Sequence, residues 1–514
     1  MSTIVETRQG RLEGTRAGAQ TVFRGVPFAA PPVGPRRWAA PAPPESWSGV
    51  RSASEFAAAA PQIEVALETL PILEIGVPTS EDCLYLNVWT PACDAARRPV
   101  MVWIHGGGFT IGTGAQLMQD HMPLVDRGDV VVVSINYRLG MLGFLRLDEA
   151  TGGAIPSSGN EGLLDQVAAL RWVRENIAAF GGDPNSVTIF GESAGGMSVG
   201  ALLALPEADG LFHRAIPQSG AASTANTRDL AERVAGGVLT ELGTRDPEAL
   251  QALSVERLLE AQAKLLPAAP GGPEPEFGTM PLQPVVDGRV LPAPPLERIA
   301  AGAAAGIPIL VGSTLDEWKL FGMLDPAVQS LDEQGLLQKL EGLPNPKQLV
   351  ETYREALGRR DQKATPSELL MAIETDRVFR IPGLRLAETQ RPHEPRVYSY
   401  LVTWPSPLMG GILGSPHAVE LGPLFGIHDA GETSAAFFGQ GPAADQLARG
   451  MQEAWTRFAR SGDPSSDALG DWPAYEPESR ATMILGEKSR LEQRPYEEER
   501  RAWDEVPDSG VGTL

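Results

Sequence analysis

The sequence predicts an α/β protein in which a central, mostly parallel and twisted β-sheet is flanked by helices. Short runs of β-branched and aliphatic residues recur at 84–89, 100–104, 130–135 and 187–190, and each ends in a glycine-rich or polar turn. Such runs are typical of parallel strands that are buried on both faces. Between the last two runs, residues 162–180 carry apolar side chains at helical spacing. Strand, helix and strand in this order form a βαβ unit.

The same pattern continues on both sides of this unit. Residues 21–23 are strand-like, and a proline-rich stretch at 27–44 predicts an ordered loop. Residues 196–205 predict a helix. The β pattern then returns at 215–218, 307–311 and 397–402. The parallel sheet is therefore expected to continue well beyond the first βαβ unit.

Two stretches, about 225–275 and 332–379, are helical in character and interrupt the β pattern. We expect them to be insertions that cap the sheet and its active site. A prior of about 150 residues per domain would divide the 514 residues into roughly three domains. Large α/β folds exceed that size, and no internal repeat divides the chain, so we predict a single domain over 1–514.

Composition and charge limit the kinds of molecule that we expect the protein to bind. The formal net charge is -22, which would repel nucleic acid and anionic membranes. The N-terminus lacks the basic start and apolar stretch of a signal peptide, and no segment reaches transmembrane length, so we expect a soluble cytoplasmic protein. The two cysteines, Cys83 and Cys93, are expected to be free thiols. Composition does not distinguish a monomer from a dimer.

A Gly-x-Ser-x-Gly pattern surrounds Ser193 and follows the strand-like run at 187–190. At a sharp strand-to-helix turn only small residues fit beside the central serine, which accounts for Gly191, Gly195 and Gly196. The turn would expose the serine hydroxyl at the carboxyl edge of the sheet. The pattern alone is weak in a chain with 56 glycines, so it predicts a nucleophile only with its partners.

A serine nucleophile needs a base and an orienting acid, which follow it in the order serine, acid, histidine in this arrangement. His417 lies in a glycine-flanked loop after the strand at 397–402, where a general base is expected. Asp316 and Glu317 both lie just beyond the strand at 307–311. Either could orient the imidazole, and a simple helix-terminal acid pair explains their spacing equally well. The remaining histidines after Ser193 are His213, His393 and His428.

Three glycines, 106–108, follow the strand at 100–104 directly and are preceded by His105. Their bare backbone N–H groups could approach a developing oxyanion closely. The segment is similar to the His-Gly-Gly-Gly oxyanion loop of esterases and lipases. Strand, glycine triplet and serine turn together favour acyl transfer.

The chain resembles the type-B carboxylesterases, a family of α/β-hydrolases that includes bacterial para-nitrobenzyl esterases and cholinesterases. Ordered motifs carry this resemblance over nearly the whole chain. Beside the serine turn they are FRGVPFA at 23–29, SEDCLYLN at 80–87, NYRLG at 136–140, GNEGLLDQ at 159–166, NIAAFGGDP at 176–184, FHRAIPQSG at 212–220 and WTRFARSGDP at 455–464. The resemblance implies the α/β-hydrolase fold and ester hydrolysis.

The resemblance also implies roles for individual residues. Ser193 would be the nucleophile, His417 the general base and acid, and Glu317 the orienting carboxylate. The oxyanion would be held by the backbone N–H groups of Gly107, Gly108 and Ala194. Such an enzyme takes a small-molecule ester and needs no metal or other cofactor. Hydrolysis of carbamates or aryl amides by the same triad stays open, as does, more remotely, a non-catalytic binding module.

Other implied residues support the site or the scaffold. Ser219 would donate a hydrogen bond to Glu317. Glu192 would lie near His417 and tune it, or be a packed scaffold carboxylate. Two buried ion pairs are implied, Arg24 with Glu81 and Arg138 with Asp165.

This chain departs from the family at three places. The segment 60–62 has no cysteine to pair with Cys83, in contrast to secreted members. The stretch 62–79 has no aromatic residue, so a choline ester is not the expected preferred substrate. Gly278, Thr279 and Met280 stand where cholinesterases narrow the acyl pocket with phenylalanines. We therefore expect a roomier acyl pocket.

Overall fold

The computed structural model describes residues 3–64, 70–266 and 276–512. Its strands are β1 (Ile4–Glu6), β2 (Arg11–Glu13), β3 (Thr15–Ala17), β4 (Gln20–Pro27), β5 (Val50–Ser52), β6 (Tyr85–Thr90), β7 (Arg98–Ile104), β8 (Val131–Ile135), β9 (Gly182–Glu192), β10 (Arg214–Gln218), β11 (Ile309–Thr314), β12 (Val397–Val402), β13 (Ala481–Leu485) and β14 (Arg490–Gln493). Eleven of them form one sheet in the order β14-β13-β12-β11-β10-β9-β7-β8-β6-β4-β3. Strands β1, β2 and β5 form a separate small sheet.

Helices occupy the connections between these strands. The α-helices are α1 (Pro123–Gly128), α2 (Gly140–Phe144), α3 (Glu161–Asn176), α4 (Ala194–Leu202), α5 (Arg228–Leu242), α6 (Pro247–Gln251), α7 (Val255–Leu265), α8 (Pro295–Ala300), α9 (Lys319–Gly322), α10 (Pro326–Gln329), α11 (Glu333–Lys339), α12 (Pro346–Arg359), α13 (Pro366–Thr375), α14 (Ile381–Gln390), α15 (Leu421–Phe425), α16 (Glu432–Phe438), α17 (Pro442–Ser461) and α18 (Glu497–Arg501). A π-helical turn, Asp376–Arg380, joins α13 to α14. Short 3-10 turns lie at Gly34–Arg36, Pro71–Leu73, Ile177–Phe180, Pro206–Ala208, Leu408–Gly411 and Asp508–Gly510.

The centre of the large sheet is parallel and its two ends are antiparallel. Strands β8, β7, β9, β10, β11, β12 and β13 pair in parallel. Strands β3, β4 and β6 extend one end in antiparallel pairing, and β14 closes the other. The α/β fold with a mostly parallel sheet is therefore confirmed. The run at 84–89 was expected to be a parallel strand, and this is wrong, because β6 pairs antiparallel with both β4 and β8. Strands β3 and β14 were not predicted, because they are short and contain no fully buried residue.

Helices cover both faces of this sheet because alternate strand residues point to opposite sides. On β7, Val100, Val102 and Ile104 belong to a core that includes the apolar face of α3. Met101 and Trp103 on the same strand pack into a second core with the apolar face of α17. The strands are thus apolar on both faces, which is the pattern the sequence showed.

The predicted elements have observed counterparts in the described residues, but the buried strand β13 and the long helix α17 were not predicted. Strand β12 coincides with the predicted 397–402, and β9 extends the predicted 187–190 in both directions. The predicted helix at 162–180 is α3 followed by a 3-10 turn. The 225–275 stretch contains α5, α6 and α7, and its last residues, 267–275, lie outside the described part. The 332–379 stretch contains α11, α12 and α13 and ends within the π-helical turn.

Local sequence explains where these inserted helices begin. The side chains of Thr227, Ser254 and Thr365 each accept a hydrogen bond from a backbone N–H in the first turn of α5, α7 and α13. Short polar side chains at this position satisfy N–H groups that have no partner inside the helix. Pro366 then occupies the first turn of α13, where its missing N–H costs nothing.

One of the two predicted ion pairs is present, and the prediction of the other is wrong. Arg138 Nε lies 2.8 Å from Asp165 Oδ2, and both side chains are buried. Glu81 pairs with Arg37, at 2.6 and 2.7 Å, and not with Arg24. Arg37 follows the 3-10 turn Gly34–Arg36. Its guanidinium bonds Glu81 and also donates to the backbone carbonyls of Gln251 and Leu253, between α6 and α7. Arg24 binds the Asp120 carboxylate.

Both cysteines are free, and Cys83 is buried. Desolvation raises the pKa of the Cys93 thiol to about 11 and raises that of Cys83 further, so both are protonated at neutral pH. Across the described ranges, no helix combines the length and the apolar character needed to cross a membrane.

Candidate active site

Ser193 stands between the end of β9 and the start of α4, in a strained backbone conformation with φ 57° and ψ −126°. Its N–H donates to the Gln218 carbonyl over 2.9 Å, which fixes the turn against β10. A β-carbon on Gly191 would lie 2.6 Å from the Ile104 carbonyl oxygen, and one on Gly195 would lie 2.0 Å from it. Only glycine fits these two positions, so strand β7 and the serine turn approach each other as closely as the motif predicts.

The imidazole of His417 is held by Glu317. Nδ1 of His417 lies 2.5 Å from Oε2 of Glu317, which is fully buried. The other carboxylate oxygen of Glu317 accepts from Ser219 Oγ and from the Thr314 backbone N–H, both at 2.6 Å. These bonds fix the carboxylate and, through it, the ring orientation.

The parallel strands explain how residues so distant in sequence meet. Thr314 at the end of β11 is paired with Val402 at the end of β12. Glu317 follows the first strand end and His417 lies in the loop after the second. Gln218 at the end of β10 is paired with Glu192, directly before Ser193. The residues therefore converge at the carboxyl edge of one sheet, where α/β folds place their sites.

The other histidines do not join this group. Nε2 of His393 bonds the Ala300 carbonyl, and Nε2 of His428 bonds Asp445. His213 Nδ1 accepts from the Val187 N–H. His105 is near the site, stacked on Tyr137 with ring centroids 4.4 Å apart. Desolvation lowers the pKa of His105 to about 4, so its ring is neutral.

Glu192 lies against the opposite edge of the His417 ring. Its Oε1 is 3.1 Å from His417 Nε2, an ion-pair distance, although the angle does not make a hydrogen bond. Within the described residues no hydrogen bond joins Ser193 to His417. Free enzymes often have long catalytic contacts that shorten when substrate binds. Glu192 is thus next to the ring, and its position fits both the tuning role and that of a packed scaffold carboxylate.

Burial and charge perturb the acid–base groups in this cluster. Desolvation alone would lower the pKa of His417, but the carboxylates of Glu192 and Glu317 outweigh it and raise that pKa to about 9. Desolvation raises the pKa of Glu192 to about 8. It also raises the pKa of Glu420 to about 7, with a further contribution from the charge of Glu317. Such perturbed groups are typical of catalytic centres.

Glu420 was missed by the sequence reasoning. It is fully buried three residues after His417, and its Oε1 accepts from Gln218 Nε2 over 3.3 Å. Its other oxygen has no hydrogen-bond partner in the described part of the chain. Helical spacing gave no signal for it, because α15 begins only at Leu421 and the preceding turn contains Ala418 with φ 65°.

The glycine segment adopts backbone conformations that favour glycine. Gly107 has φ 103° and Gly108 has φ 57°. A β-carbon on Gly107 would lie 2.3 Å from the Ile111 carbonyl oxygen. The Gly107 carbonyl accepts from the N–H groups of Thr110 and Ile111. Among the described residues, no hydrogen bond engages the N–H groups of Gly107, Gly108 or Ala194, so these donors are available.

A largely apolar cavity of about 580 Å³ opens above these groups. Gly107, Gly108, Ser193 and His417 form part of its wall. Further lining comes from Gln262, Ala263 and Leu266 at the end of α7, from Thr279 and Met280, and from Trp318, Phe321 and Phe379. This volume suits a drug-sized ligand.

Aromatic side chains pack directly on the His417 ring. The ring centroids of Phe379 and Phe321 lie 4.9 and 5.3 Å from that of His417. Phe379 belongs to the π-helical turn between α13 and α14. A π turn adds a residue to the helix and redirects its side chains, a feature found often at functional sites. Sequence patterns of ordinary helical spacing could not reveal this placement.

One group of described side chains brings metal-ligand atoms together. Ligand atoms of His428, Asp429 and Asp445 lie within 4.8 Å of one another, and the two aspartates are exposed. None of the three lines the Ser193 cavity.

The sheet, its topology and the serine on a strained strand-to-helix turn define the α/β-hydrolase class. A sequence model of the carboxylesterase family matches residues 1–503. The chain therefore belongs to the carboxylesterase family and is a carboxylic ester hydrolase.

Individual relatives agree with this assignment. The chain is 39% identical to a para-nitrobenzyl esterase of Bacillus subtilis over 505 residues, covering 97% of this chain and 98% of the relative. It is 37% identical to a phenmedipham hydrolase of Pseudarthrobacter oxydans, covering 94% and 95%. A crystal structure of a Geobacillus stearothermophilus carboxylesterase superposes with a TM-score of 0.86 at 41% identity, covering 98% of this chain and 100% of that one.

Proposed function

We propose that Ser193 is the nucleophile of this ester hydrolase, with His417 as general base and acid and Glu317 as the orienting carboxylate. The observation that carries the proposal is the contact of 2.5 Å between His417 Nδ1 and a buried Glu317, in the wall of the cavity that also exposes Ser193. A base oriented by a third group beside a serine is the signature of nucleophilic acyl transfer.

In the first half-reaction the Ser193 oxygen attacks the ester carbonyl carbon while His417 Nε2 takes the hydroxyl proton. The carbonyl oxygen becomes an oxyanion, which the N–H groups of Gly107, Gly108 and Ala194 stabilise. His417 then returns its proton to the leaving alcohol oxygen as the carbon–oxygen bond breaks. The product is an alcohol and an acyl group bonded to Ser193.

In the second half-reaction water replaces the alcohol. His417 takes a proton from the water, whose oxygen attacks the acyl carbon. The second oxyanion collapses, the bond to Ser193 breaks, and the serine oxygen regains its proton from His417. The acid leaves, and no metal or other cofactor takes part. Glu317 keeps the imidazole oriented through both steps, and Ser219 keeps Glu317 in place.

The cavity favours a neutral, apolar ester. Its lining is mostly aliphatic and aromatic, and its charged side chains are those of the Glu192 and His417 pair. Thr279 and Met280 contribute small or flexible side chains. Methionine adapts its shape to different partners more readily than phenylalanine does. We infer broad acyl tolerance, measurable as activity across p-nitrophenyl esters of increasing chain length; a sharp preference for acetate would contradict it.

Kinetics of matched variants test the assignment. We expect Ser193→Ala and His417→Ala to lose about 10⁴-fold or more in kcat on p-nitrophenyl esters, because the acyl-enzyme pathway is removed. Ser461→Ala is the control, since Ser461 is exposed at the end of α17 and its hydroxyl bonds only nearby backbone groups. Circular dichroism would verify that each variant is folded. Retained activity in Ser193→Ala would overturn the mechanism.

Carbamate hydrolysis is the second candidate. The observation that favours it is the 37% identity to a phenmedipham hydrolase over nearly the whole chain. A carbamate presents the same carbonyl to Ser193 and differs in the group next to it. Turnover of matched ester, carbamate and anilide substrates would separate the activities. Detectable carbamate turnover that Ser193→Ala abolishes would support this candidate.

We also propose a single domain over 1–514 whose inserted helices cap the cavity. Gln262 and Leu266 at the end of the first insertion and Phe379 at the end of the second support this, since all three line the cavity. We propose cytoplasmic placement as well, supported by the free, buried thiol of Cys83. Cell fractionation followed by an esterase assay would test it, and activity confined to a secreted fraction would contradict it.

A further inference from the structure

The four residues that follow β11, 315–318, each contact a different neighbouring segment. The N–H of Leu315 donates to the Val402 carbonyl over 2.9 Å and so continues the pairing of β11 with β12. The Glu317 side chain contacts His417, and the N–H of Trp318 donates to Thr375 Oγ1 over 3.0 Å. Asp316 lies between them and does not line the substrate cavity.

Asp316 binds the loop that carries His417 at two points. Its N–H donates to the Ser415 carbonyl, and the Ser415 N–H donates to Asp316 Oδ2, both over 2.9 Å. The Ser415 hydroxyl also donates to the Val402 carbonyl over 2.9 Å. Ser415 is 2% exposed and precedes His417 by two residues. Three hydrogen bonds therefore fix the backbone just before the imidazole.

Gly414 makes this close approach feasible. It has φ 61°, and a β-carbon there would lie 2.3 Å from Asp316 Oδ2. Before Gly414 the loop is exposed at Met409 (57%) and Ile412 (49%), while Leu413 is buried. The contact between Asp316 and Ser415 therefore lies between the exposed part of the loop and the buried His417.

We propose that Asp316 is a positioning residue for the esterase reaction, which fixes His417 by binding the Ser415 backbone while Glu317 orients the ring. The inference rests on the proposed function of Ser193 and His417. The two adjacent acids thus have separate tasks, one on the loop and one on the imidazole. Lys319 pairs with Asp316 Oδ1 over 3.0 Å and with Glu368 over 3.7 Å. The contact with Ser415 uses the other oxygen, Oδ2, and so does not involve Lys319.

The test compares variants by kcat per active site, with active sites counted by organophosphate titration. Asp316→Ala should lower kcat about 10- to 100-fold, because a displacement of the base by about 1 Å is enough for such a loss. KM should stay within about threefold of wild type, since Asp316 is outside the substrate cavity. Asp316→Asn keeps an oxygen that can accept from Ser415 and should recover most of kcat.

Two further variants keep the proposal falsifiable. Gly414→Ala should resemble Asp316→Ala, because its β-carbon displaces the carboxylate. Lys319→Met should stay within about threefold of wild type, since only the ion pair is lost. Wild-type kcat per titrated site in Asp316→Ala would overturn the proposal, and so would an equal loss in Lys319→Met. Both outcomes are distinct from failure of the proposed function, which would appear as retained activity in Ser193→Ala.

Discussion

Replacing Glu192 with glutamine should move the acid limb of the kcat/KM profile to lower pH. Glu192 Oε1 lies 3.1 Å from His417 Nε2, and both side chains are buried. A general base must be neutral, so the rate rises as pH increases through the pKa of the base. The Glu192 carboxylate stabilises the imidazolium and raises that pKa. The glutamine amide has no net charge, so the pKa of His417 falls and the rate rises at lower pH.

The structure sets the size of this displacement. At 3.1 Å two unit charges attract by about 1.3 kcal/mol even at the dielectric constant of water, about 80, and this equals about 1 pKa unit. Burial lowers the effective dielectric constant and strengthens the attraction. The pKa of His417 is raised from 6.5 to about 9 although desolvation opposes the rise. A displacement on the order of 1 pH unit is therefore expected, with the full effect where Glu192 is ionised, above its own pKa of about 8.

The assay is hydrolysis of a p-nitrophenyl ester followed with a pH-stat, because the released p-nitrophenol itself titrates near neutral pH. The matched control is Glu487→Gln, which removes an exposed carboxylate and should leave the profile unchanged. Organophosphate titration corrects each rate for the fraction of active protein. An acid limb that stays in place in Glu192→Gln, or that moves to higher pH, would refute the electrostatic reasoning.

Three other substitutions test separate parts of the site. Ser219→Ala should lower kcat about tenfold and the free energy of unfolding by about 1–3 kcal/mol, because Glu317 loses a donor at 2.6 Å; unchanged urea denaturation and kcat would contradict this. Gly107→Ala should lower kcat about 100-fold or more in folded protein, since its β-carbon would clash with the Ile111 carbonyl. Wild-type rates would argue against Gly107 as an oxyanion donor. Met280→Phe should lower the ratio of butyrate to acetate hydrolysis, and an unchanged ratio would contradict the acyl-pocket hypothesis.

The sequence was most informative where one physical cause dominates. Most strands of the parallel core are apolar on both faces, so hydrophobic runs predicted their positions; β13, although fully buried, was not among them. The glycines at the serine turn reflect a steric limit, since β-carbons on Gly191 and Gly195 would meet the Ile104 carbonyl. Spacing alone could not choose between Asp316 and Glu317. In the structure Asp316 accepts from the Ser415 backbone N–H in the loop before His417, and Glu317 contacts the His417 ring.

Features that depend on tertiary packing were beyond the sequence. The partner of Glu81 is Arg37 and not Arg24, because the turn before Arg37 determines which guanidinium reaches the carboxylate. Phe379 reaches the imidazole through a π-helical turn, which apolar spacing does not reveal. Edge strands such as β14 are short and exposed, so no buried pattern marks them. Glu420 is an acid whose burial becomes visible only once α15 is packed.

Ser193 is the residue that becomes acylated in the proposed mechanism, and one measurement addresses this directly. The protein is inactivated with an organophosphate, digested, and the modified peptide is located by mass spectrometry. We predict one adduct per chain, on Ser193, formed in step with the loss of esterase activity. An adduct on another residue, or complete inactivation with Ser193 unmodified, would contradict the assignment of Ser193 as the nucleophile.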